Sequence, residues 1–210
     1  MSERIRKLED FVRNLATRAP ESHDLSHFLE VKEIATELAL REKGVNLDVL
    51  QAAALLHDIN RSNEKYHAIR SAEEAKIILP QFGFSAEEIK EICHAIRAHS
   101  RSSLREEPRT LEAKILYDAD KLAGVGPSGV KRAIAYGKER GWSEWRTAHW
   151  YFGRIRDVIE NEPFYTKEAY SLLELRLKPA LAFCEPYVGK EAVESLLKKI
   201  EVLKESVGKK

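Results

Sequence analysis

Apolar residues recur at three- and four-residue steps along most of the chain, a spacing that places them on one face of an α-helix. No segment shows the sustained alternation of β-branched and polar residues that is typical of a half-buried strand. The pattern therefore predicts an all-α helical bundle. The predicted helices cover residues 5–15, 25–38, 47–58, 71–82, 85–99, 110–122, 128–140, 143–160, 166–187 and 190–206.

Capping residues mark several of the predicted helix starts, because a side-chain oxygen there can accept from N–H groups of the first turn. The predicted caps are Asn46, Ser71 with Glu74, Ser85 with Glu88, and Thr110. Pro179 lies inside the predicted helix over 166–187 and is expected to kink or split it, because proline lacks an N–H group. The sequence contains no internal repeat and no low-complexity linker, so we predict a single domain over residues 1–210.

Charge and hydropathy narrow the classes of function. The 35 Lys and Arg residues nearly balance the 34 Asp and Glu residues, so no overall positive field favours a nucleic-acid polymer as partner. The longest apolar run, Ala52 to Leu56, is far shorter than the roughly 20 residues of a membrane span, which excludes a membrane protein. A charged start without a signal core, together with only two cysteines, Cys93 and Cys184, predicts a cytoplasmic protein without disulfides.

Ionisable residues on the apolar helices are the candidates for chemistry. His57 and Asp58 end the most apolar helix, His27 lies within the apolar run of the second helix, and Asp118 and Asp120 lie on an otherwise apolar stretch. A buried His–Asp pair is often a structural hydrogen bond, and each of the other residues could lie at the edge of a surface stripe. Two imidazoles and two carboxylates can nevertheless converge on one divalent ion and leave coordination positions for water and substrate.

The order His, His-Asp, Asp on an all-α chain resembles the HD superfamily of metal-dependent phosphohydrolases. The similarity extends over about residues 20–135, and helices at about 140–206 are expected to pack on that core. The segments that carry it are His23–His27, Ala53–Ile59 and Ile115–Leu122, with His67–Ala75, Ile92–Ser100 and, more weakly, Thr166–Phe183. The resemblance implies His27, His57, Asp58 and Asp120 as metal ligands. It also implies that Mn²⁺ or Mg²⁺, or else Fe, Co, Ni or Zn, assists hydrolysis of a phosphoester or phosphoanhydride in a small nucleotide.

Roles for further residues follow from this reading. Asp58 is expected to orient the attacking water or accept its proton, with Asp118 in a supporting position. Further histidines could bind substrate phosphate or simply form capping hydrogen bonds, which is favoured over binding a second metal ion. His94 and His99 differ by about 140° around a helix, so at most one is expected to join His67. The residues predicted to bind a second metal or phosphate are His67, His94 and His99, and those predicted to bind substrate are Arg61, Lys65, Lys121 and Arg132.

Two departures from the family pattern are visible. Ala123 replaces an acidic residue that often follows the closing motif, and residues 60–63 lack the carboxylate that some members use for proton transfer, so no general acid is identified. Two other functions stay open: a dinuclear iron enzyme, hydrolytic or oxygen-using, that recruits His67 and His99, and a sensor that binds a nucleotide without turnover. The aromatic-rich second half also offers a surface for homodimerisation.

Overall fold

The computed structural model describes residues 1–16, 25–100 and 106–208 of the chain. Within these ranges every regular element is a helix, which confirms the predicted all-α class. Two short 3₁₀ segments, Glu64–Tyr66 and Leu79–Phe82, accompany the α-helices. The α-helices are α1 (Glu3–Ala16), α2 (Leu25–Ala39), α3 (Leu47–Leu56), α4 (His67–Ile78), α5 (Ala86–Ala98), α6 (Leu111–Gly124), α7 (Pro127–Glu139), α8 (Glu144–Asn161), α9 (Lys167–Val188) and α10 (Lys190–Gly208).

The described chain divides into two compact units, and the boundary lies inside α6, between Asp120 and Lys121. The first unit holds the described residues up to Asp120, and the second holds those from Lys121 onward. The single domain over residues 1–210 stays a prediction. None of the described helices is both long enough and apolar enough to cross a membrane.

Helix α3 is the central element of the first unit and contacts α1, α2, α4 and α5. All its residues from Val49 to Leu56 are buried, as expected for a helix that is apolar on every side. Asn46 caps it, because its side chain accepts a hydrogen bond of 3.3 Å from the N–H of Val49. The backbone N–H of Asn46 in turn donates to Glu112 on α6 at 2.7 Å. The predicted cap is therefore confirmed.

The other predicted helix starts have different outcomes. Ser85 and Glu88 form the predicted capping box of α5, and Thr110 accepts from the N–H of Ala113 at 3.2 Å. The predicted capping box of Ser71 and Glu74 is wrong. Helix α4 begins four residues earlier, at His67, and Ser71 is a buried residue within it. The oxygens of Ser71 and Glu74 accept from Asn60 instead.

The second unit holds the end of α6 together with four further helices. Of these, α7, α8 and α9 contact one another, and α10 contacts α9. Helix α9 runs without interruption through Pro179, so the proline does not split it. The carbonyl that Pro179 leaves without its helical donor belongs to Leu175, whose side chain is exposed, so water can solvate this part of the helix. Both cysteines are free and buried, Cys93 on α5 and Cys184 on α9.

Aromatic residues cluster on α7 and α8. Tyr136 and Trp150 stack with their ring centroids 4.7 Å apart, and Trp142 meets both rings edge-on at 5.7 Å. With Trp145, these are all three tryptophans of the chain, and they all lie in the second unit.

Candidate metal centre

Four side chains from three parts of the first unit meet at one point. His27 comes from α2, His57 and Asp58 directly follow α3, and Asp120 lies on α6. The Nε2 atoms of His27 and His57 are 3.1 Å apart. Asp120 Oδ1 lies 3.4 Å from the first of these nitrogens and 3.7 Å from the second. Asp58 Oδ2 lies 3.9 and 3.7 Å from the same two atoms. The structure therefore brings together all four predicted metal ligands.

The local fold determines which nitrogen of His57 faces this point. His57 Nδ1 donates to the carbonyl of Ala54, one turn back along the chain, at 2.8 Å. The proton therefore resides on Nδ1, and Nε2 presents its lone pair to the other side chains. His57 is fully buried and His27 is 2% exposed, so both rings are removed from water. An imidazole with one nitrogen bound to a carbonyl and the other directed at further donor side chains has the usual arrangement of a metal-ligating histidine.

Asp58 also faces a second pair of histidines. Its Oδ1 atom lies 3.6 Å from the Nε2 atom of His67 and 3.6 Å from that of His99. His99 Nδ1 donates to the carbonyl of Ile96 at 2.6 Å, which again leaves Nε2 directed at the carboxylate. Asp58 thus presents one oxygen to His27 and His57 and the other to His67 and His99.

Two overlapping donor sets result, and within each set the candidate ligand atoms lie within 4.8 Å of one another. One set is His27, His57 and Asp120, and the other is His57, Asp58 and His99. His57 belongs to both. The described part of the chain therefore offers donors for one divalent ion, and a second set that shares a ligand with the first.

The charges of the centre depend on one another. Burial alone would raise the pKa of Asp58, but the positive charge of Arg61 and the nearby histidines hold it well below its usual range. Burial lowers the pKa of His57, yet the carboxylates of Asp58 and Asp120 raise it by more, so its net shift is upward. Asp58 Oδ1 is buried and makes no hydrogen bond to any described residue. Nitrogen and carboxylate donors around such an oxygen fit a divalent cation.

The predicted substrate-binding cations lie in different places. Arg61 donates from Nη1 to Asp58 Oδ2 at 2.5 Å, so it lies at the centre. Lys65 is exposed, with its ammonium 5.2 Å from the ring centroid of Tyr66. In the second unit, Lys121 lies 3.2 Å from Glu162 Oε2 in a mostly buried ion pair, which engages its charge. Arg132 is on α7, and its buried Nη1 has no hydrogen-bond partner among the described residues.

Two further predicted residues are directed elsewhere. His94 donates from Nδ1 to Glu106 at 2.7 Å and accepts at Nε2 from the N–H of Arg109 at 3.0 Å. Both ring nitrogens of His94 are occupied by these bonds, whereas His67 and His99 direct Nε2 at Asp58. The assignment of His94 as a metal or phosphate ligand stays a prediction that these contacts do not support. Asp118 is fully buried, but it lies about 200° around α6 from Asp120 and so projects from another side of that helix. His23 lies outside the described residues.

Sequence reasoning did not identify the residues that surround Arg61. Asn60, Ser71 and Glu74 form hydrogen bonds next to it, and the spacing of Ser71 and Glu74 instead suggested a helix cap. The signal that could have revealed them is Asn60, two residues after the His57-Asp58 pair, because an amide close to a buried helix must find hydrogen-bond partners.

Comparison with known proteins identifies the family of this chain. The HD domain family model matches residues 24–124. A solved structure from an uncultured Thermotogales bacterium, described as a predicted HD superfamily hydrolase, is 30% identical to this chain. It covers 87% of this chain, this chain covers 90% of it, and the TM-score is 0.60. The chain belongs to the HD superfamily. Membership supports a hydrolase, and the pair that gives the superfamily its name is His57-Asp58.

Two other relatives of this HD protein are informative. The uncharacterized protein YpgQ of Bacillus subtilis is 26% identical over 166 residues, which are 74% of this chain and 80% of YpgQ. A crystal structure of YpgQ in complex with ADP is 23% identical, with coverage of 88% and 93% and a TM-score of 0.69, and shows the same fold. Ribonuclease Y of Chloroflexus aurantiacus is 38% identical over 114 residues, which are 52% of this chain and only 20% of that relative.

Proposed function

We propose that this HD protein is a metal-dependent phosphohydrolase that cleaves a phosphoester or phosphoanhydride bond of a small nucleotide. The observation that carries the proposal is the convergence of His27, His57, Asp58 and Asp120 in the first unit. The second oxygen of Asp58, Oδ1, is buried without a hydrogen-bond partner among the described residues and faces His67 and His99. Imidazole and carboxylate ligands of this kind hold Mn²⁺, Mg²⁺, Fe, Co, Ni or Zn.

A divalent ion at such ligands supplies charge neutralisation for a phosphoryl oxygen and a water of lowered pKa. The chain's own groups provide position and proton transfer. Asp58 is the proposed acceptor of the proton of the attacking water, because its carboxylate lies among all four histidines of the centre. The supporting role predicted for Asp118 stays a prediction.

Arg61 is the proposed phosphate-binding residue. Its guanidinium donates to Asp58, a member of one donor set, and a planar guanidinium can bind two phosphate oxygens at once. Its side chain is 28% exposed, so the guanidinium is both close to Asp58 and accessible to a substrate.

Two relatives guide the choice of substrate. YpgQ, which shares the fold, has been solved with ADP, and this supports a small nucleotide. The similarity to one fifth of ribonuclease Y makes RNA the competing substrate, although the net charge of +1 provides no general attraction for a polyanion.

A two-metal centre is the second candidate. It is favoured by the second donor set of His57, Asp58 and His99, with His67 beside it. Two irons bound there, with an oxygen-dependent product, would instead indicate the dinuclear iron enzyme.

The test combines metal analysis with a substrate panel. Purified chain is analysed for metal by elemental analysis, then assayed with Mn²⁺, Mg²⁺ or Fe²⁺ on nucleoside mono-, di- and triphosphates, cyclic nucleotides and a short RNA. We expect bound metal and turnover of a small nucleotide, and a loss of turnover of about 100-fold or more in Asp58→Asn, which removes the carboxylate charge but keeps the shape.

Asp157→Asn serves as the matched control, because Asp157 pairs with Arg154 on the surface of α8 in the second unit. It is expected to retain full activity. Unchanged turnover in Asp58→Asn would remove the proposed centre. Nucleotide binding without turnover by the metal-loaded wild type would identify a sensor, and cleavage of RNA alone would replace the nucleotide substrate.

A further inference from the structure

The short segment between the His57-Asp58 pair and α4 is tied to that helix through Asn60. The backbone N–H of Asn60 donates to Ser71 Oγ at 3.1 Å, and its side-chain amide donates to Glu74 Oε2 at 2.8 Å. Ser71 is fully buried, so this contact is protected from water. The first two turns of α4 thus hold the residue immediately before Arg61.

The segment is also held immediately after Arg61. Asn60 Oδ1 accepts from the hydroxyl of Ser62 at 2.7 Å and from its N–H at 3.3 Å. The Ser62 hydroxyl in turn accepts from Arg70 Nη1, again on α4, at 2.7 Å. Asn60 therefore uses the acceptor and a donor of its amide, and both neighbours of Arg61 are bound to one helix.

Arg61 is the residue whose position depends on these bonds. Its side chain extends to Asp58 Oδ2, and no other ion pair or hydrogen bond of Arg61 occurs within the described ranges. A free arginine side chain has many rotamers, so a fixed backbone is needed to direct its guanidinium to one place. The same helix begins with His67, which lies beside Asp58 Oδ1.

We propose that Asn60 is a positioning residue. Through Ser71 and Glu74 it fixes the backbone from which Arg61 reaches Asp58, and in this way it sets the affinity of the centre for the phosphate group of the substrate. The inference rests on the proposed function, in which Arg61 binds phosphate, and assigns Asn60 no contact with the substrate.

Exchanging the amide of Asn60 with the carboxylate of Glu74 tests the hydrogen bond between these two side chains. Asn60→Asp removes the donor and places two carboxylates together, whereas Glu74→Gln retains an oxygen that can accept. The double variant Asn60→Asp with Glu74→Gln restores one hydrogen bond with its direction reversed. We expect Asn60→Asp to raise KM about 10-fold with less change in kcat, and the double variant to return to within about 2-fold of the wild type.

Arg61→Ala distinguishes positioning from general stability. If Asn60 acts through Arg61, Asn60→Asp has no further effect on KM in an Arg61→Ala background, although it still lowers the thermal midpoint. Equal effects in both backgrounds would overturn the inference. Glu73→Gln is the matched control on α4, because Glu73 is exposed next to Glu74, and it is expected to behave as the wild type.

Calorimetric titration with inorganic phosphate, on chain loaded with Mn²⁺, separates this inference from the proposed function. Phosphate binding that weakens in Arg61→Ala and in Asn60→Asp, without further loss in the combined variant, supports positioning even if no nucleotide is hydrolysed. Phosphate binding that Arg61→Ala leaves unchanged would overturn it. If Asn60→Asp does not fold, Glu74→Ala, at a half-buried position, replaces it in the same comparisons.

Discussion

His94 and His99 lie only five residues apart, yet their rings have different surroundings. His99 follows the last residue of α5 and directs Nε2 at Asp58, whereas His94, within the helix, connects α5 to Glu106 and to the backbone of Arg109. The first is available to a metal ion and the second is a structural link. Their side chains therefore have separable effects when removed.

Replacing each with alanine tests this difference. His99→Ala is expected to lower metal affinity about 10- to 100-fold, because it removes one donor of the set with His57 and Asp58. His94→Ala is expected to bind metal as the wild type does, but to lose about 1–3 kcal/mol of stability, because the N–H of Arg109 loses its acceptor and Glu106 keeps only its arginine partners. Elemental analysis and urea unfolding measure the two effects. Loss of metal in His94→Ala would contradict the assignment.

Residue type and helical spacing indicated two imidazoles and several carboxylates as candidates, because an imidazole or carboxylate on an apolar face needs a partner. The choice of Asp120 over Asp118 came from the resemblance to the HD superfamily. Residue type and spacing could not predict that His94 binds Glu106, since that contact joins α5 to a segment twelve residues further along with no periodic pattern. The pairing of Arg61 with Asp58 also follows from the turn after α3 rather than from helical spacing.

At the scale of the elements, the start of α5 joins three helices. Glu88 completes the capping box with Ser85 and also binds Arg4 of α1 at 2.6 Å. Arg4 in turn binds Asp48, in the first turn of α3, at 2.6 Å. Hydrogen bonds from Arg4 and from the N–H of Ser85 lower the pKa of Glu88 to about 2.

The lowered pKa of Glu88 predicts that the stability of the folded protein depends on pH. Because the folded pKa of about 2 lies below the ordinary value of 4.5, the ionised Glu88 contributes its full stability above about pH 4.5, and the contribution is lost as the pH falls to about 2. Glu88→Gln is expected to be less stable than the wild type by about 1 kcal/mol near neutral pH. Urea unfolding at several pH values should show this difference shrinking between pH 4.5 and 2.

Glu87→Gln provides the control for that series, since Glu87 is a highly exposed residue of the same helical turn. It should follow the wild type throughout the range. A constant difference between Glu88→Gln and the wild type from pH 7 to 2 would show that ionisation of Glu88 does not contribute.

Two helical glycines of the second unit make a matched pair. A Cβ atom on Gly129 would overlap the carbonyl of Gly124 and the hydroxyl of Tyr151, whereas one on Gly153 would meet nothing within 4 Å. Gly153→Ala is therefore expected to stabilise the protein by about 1 kcal/mol through helix propensity. Gly129→Ala is expected to destabilise it by about 1–3 kcal/mol through overpacking. Thermal unfolding compares them, and the same sign for both would contradict the packing described.

The existence of the helices was predictable from apolar spacing, but some boundaries were not. Ser71 and Glu74 match a cap by spacing, and only the path of the chain after Asp58 reveals that Asn60 takes their oxygens. The effect of Pro179 was not predictable from spacing either. The cost of its missing N–H depends on the solvent exposure around Leu175, and the helix continues through the proline.

At the scale of the whole chain, the two compact units contain different groups whose signals can report on unfolding. The donor sets of the metal centre lie in the first unit, and all three tryptophans lie in the second. Tryptophan fluorescence therefore follows unfolding of the second unit, whereas far-ultraviolet circular dichroism follows the helices of both.

The predicted single domain requires both signals to change together. We expect coincident thermal transitions by fluorescence and circular dichroism, and an equal rise of both midpoints when Mn²⁺ is added, because a ligand that binds the folded state stabilises the whole cooperative unit. A shift confined to circular dichroism would show that the units unfold independently. The Asp58→Asn variant, with Mn²⁺ added, is the control for binding outside the centre.

The positions of the two cysteines give each unit its own reporter of local opening. Cys93 is the one thiol of the first unit and Cys184 the one thiol of the second. Burial raises the pKa of Cys184 to about 12, and burial also raises the pKa of Cys93 above its ordinary value. Each sulfur can react with an alkylating reagent only while its surroundings are open. Mass spectrometry of the two labelled peptides would thus time the opening of each half in the native protein, with no engineered probe.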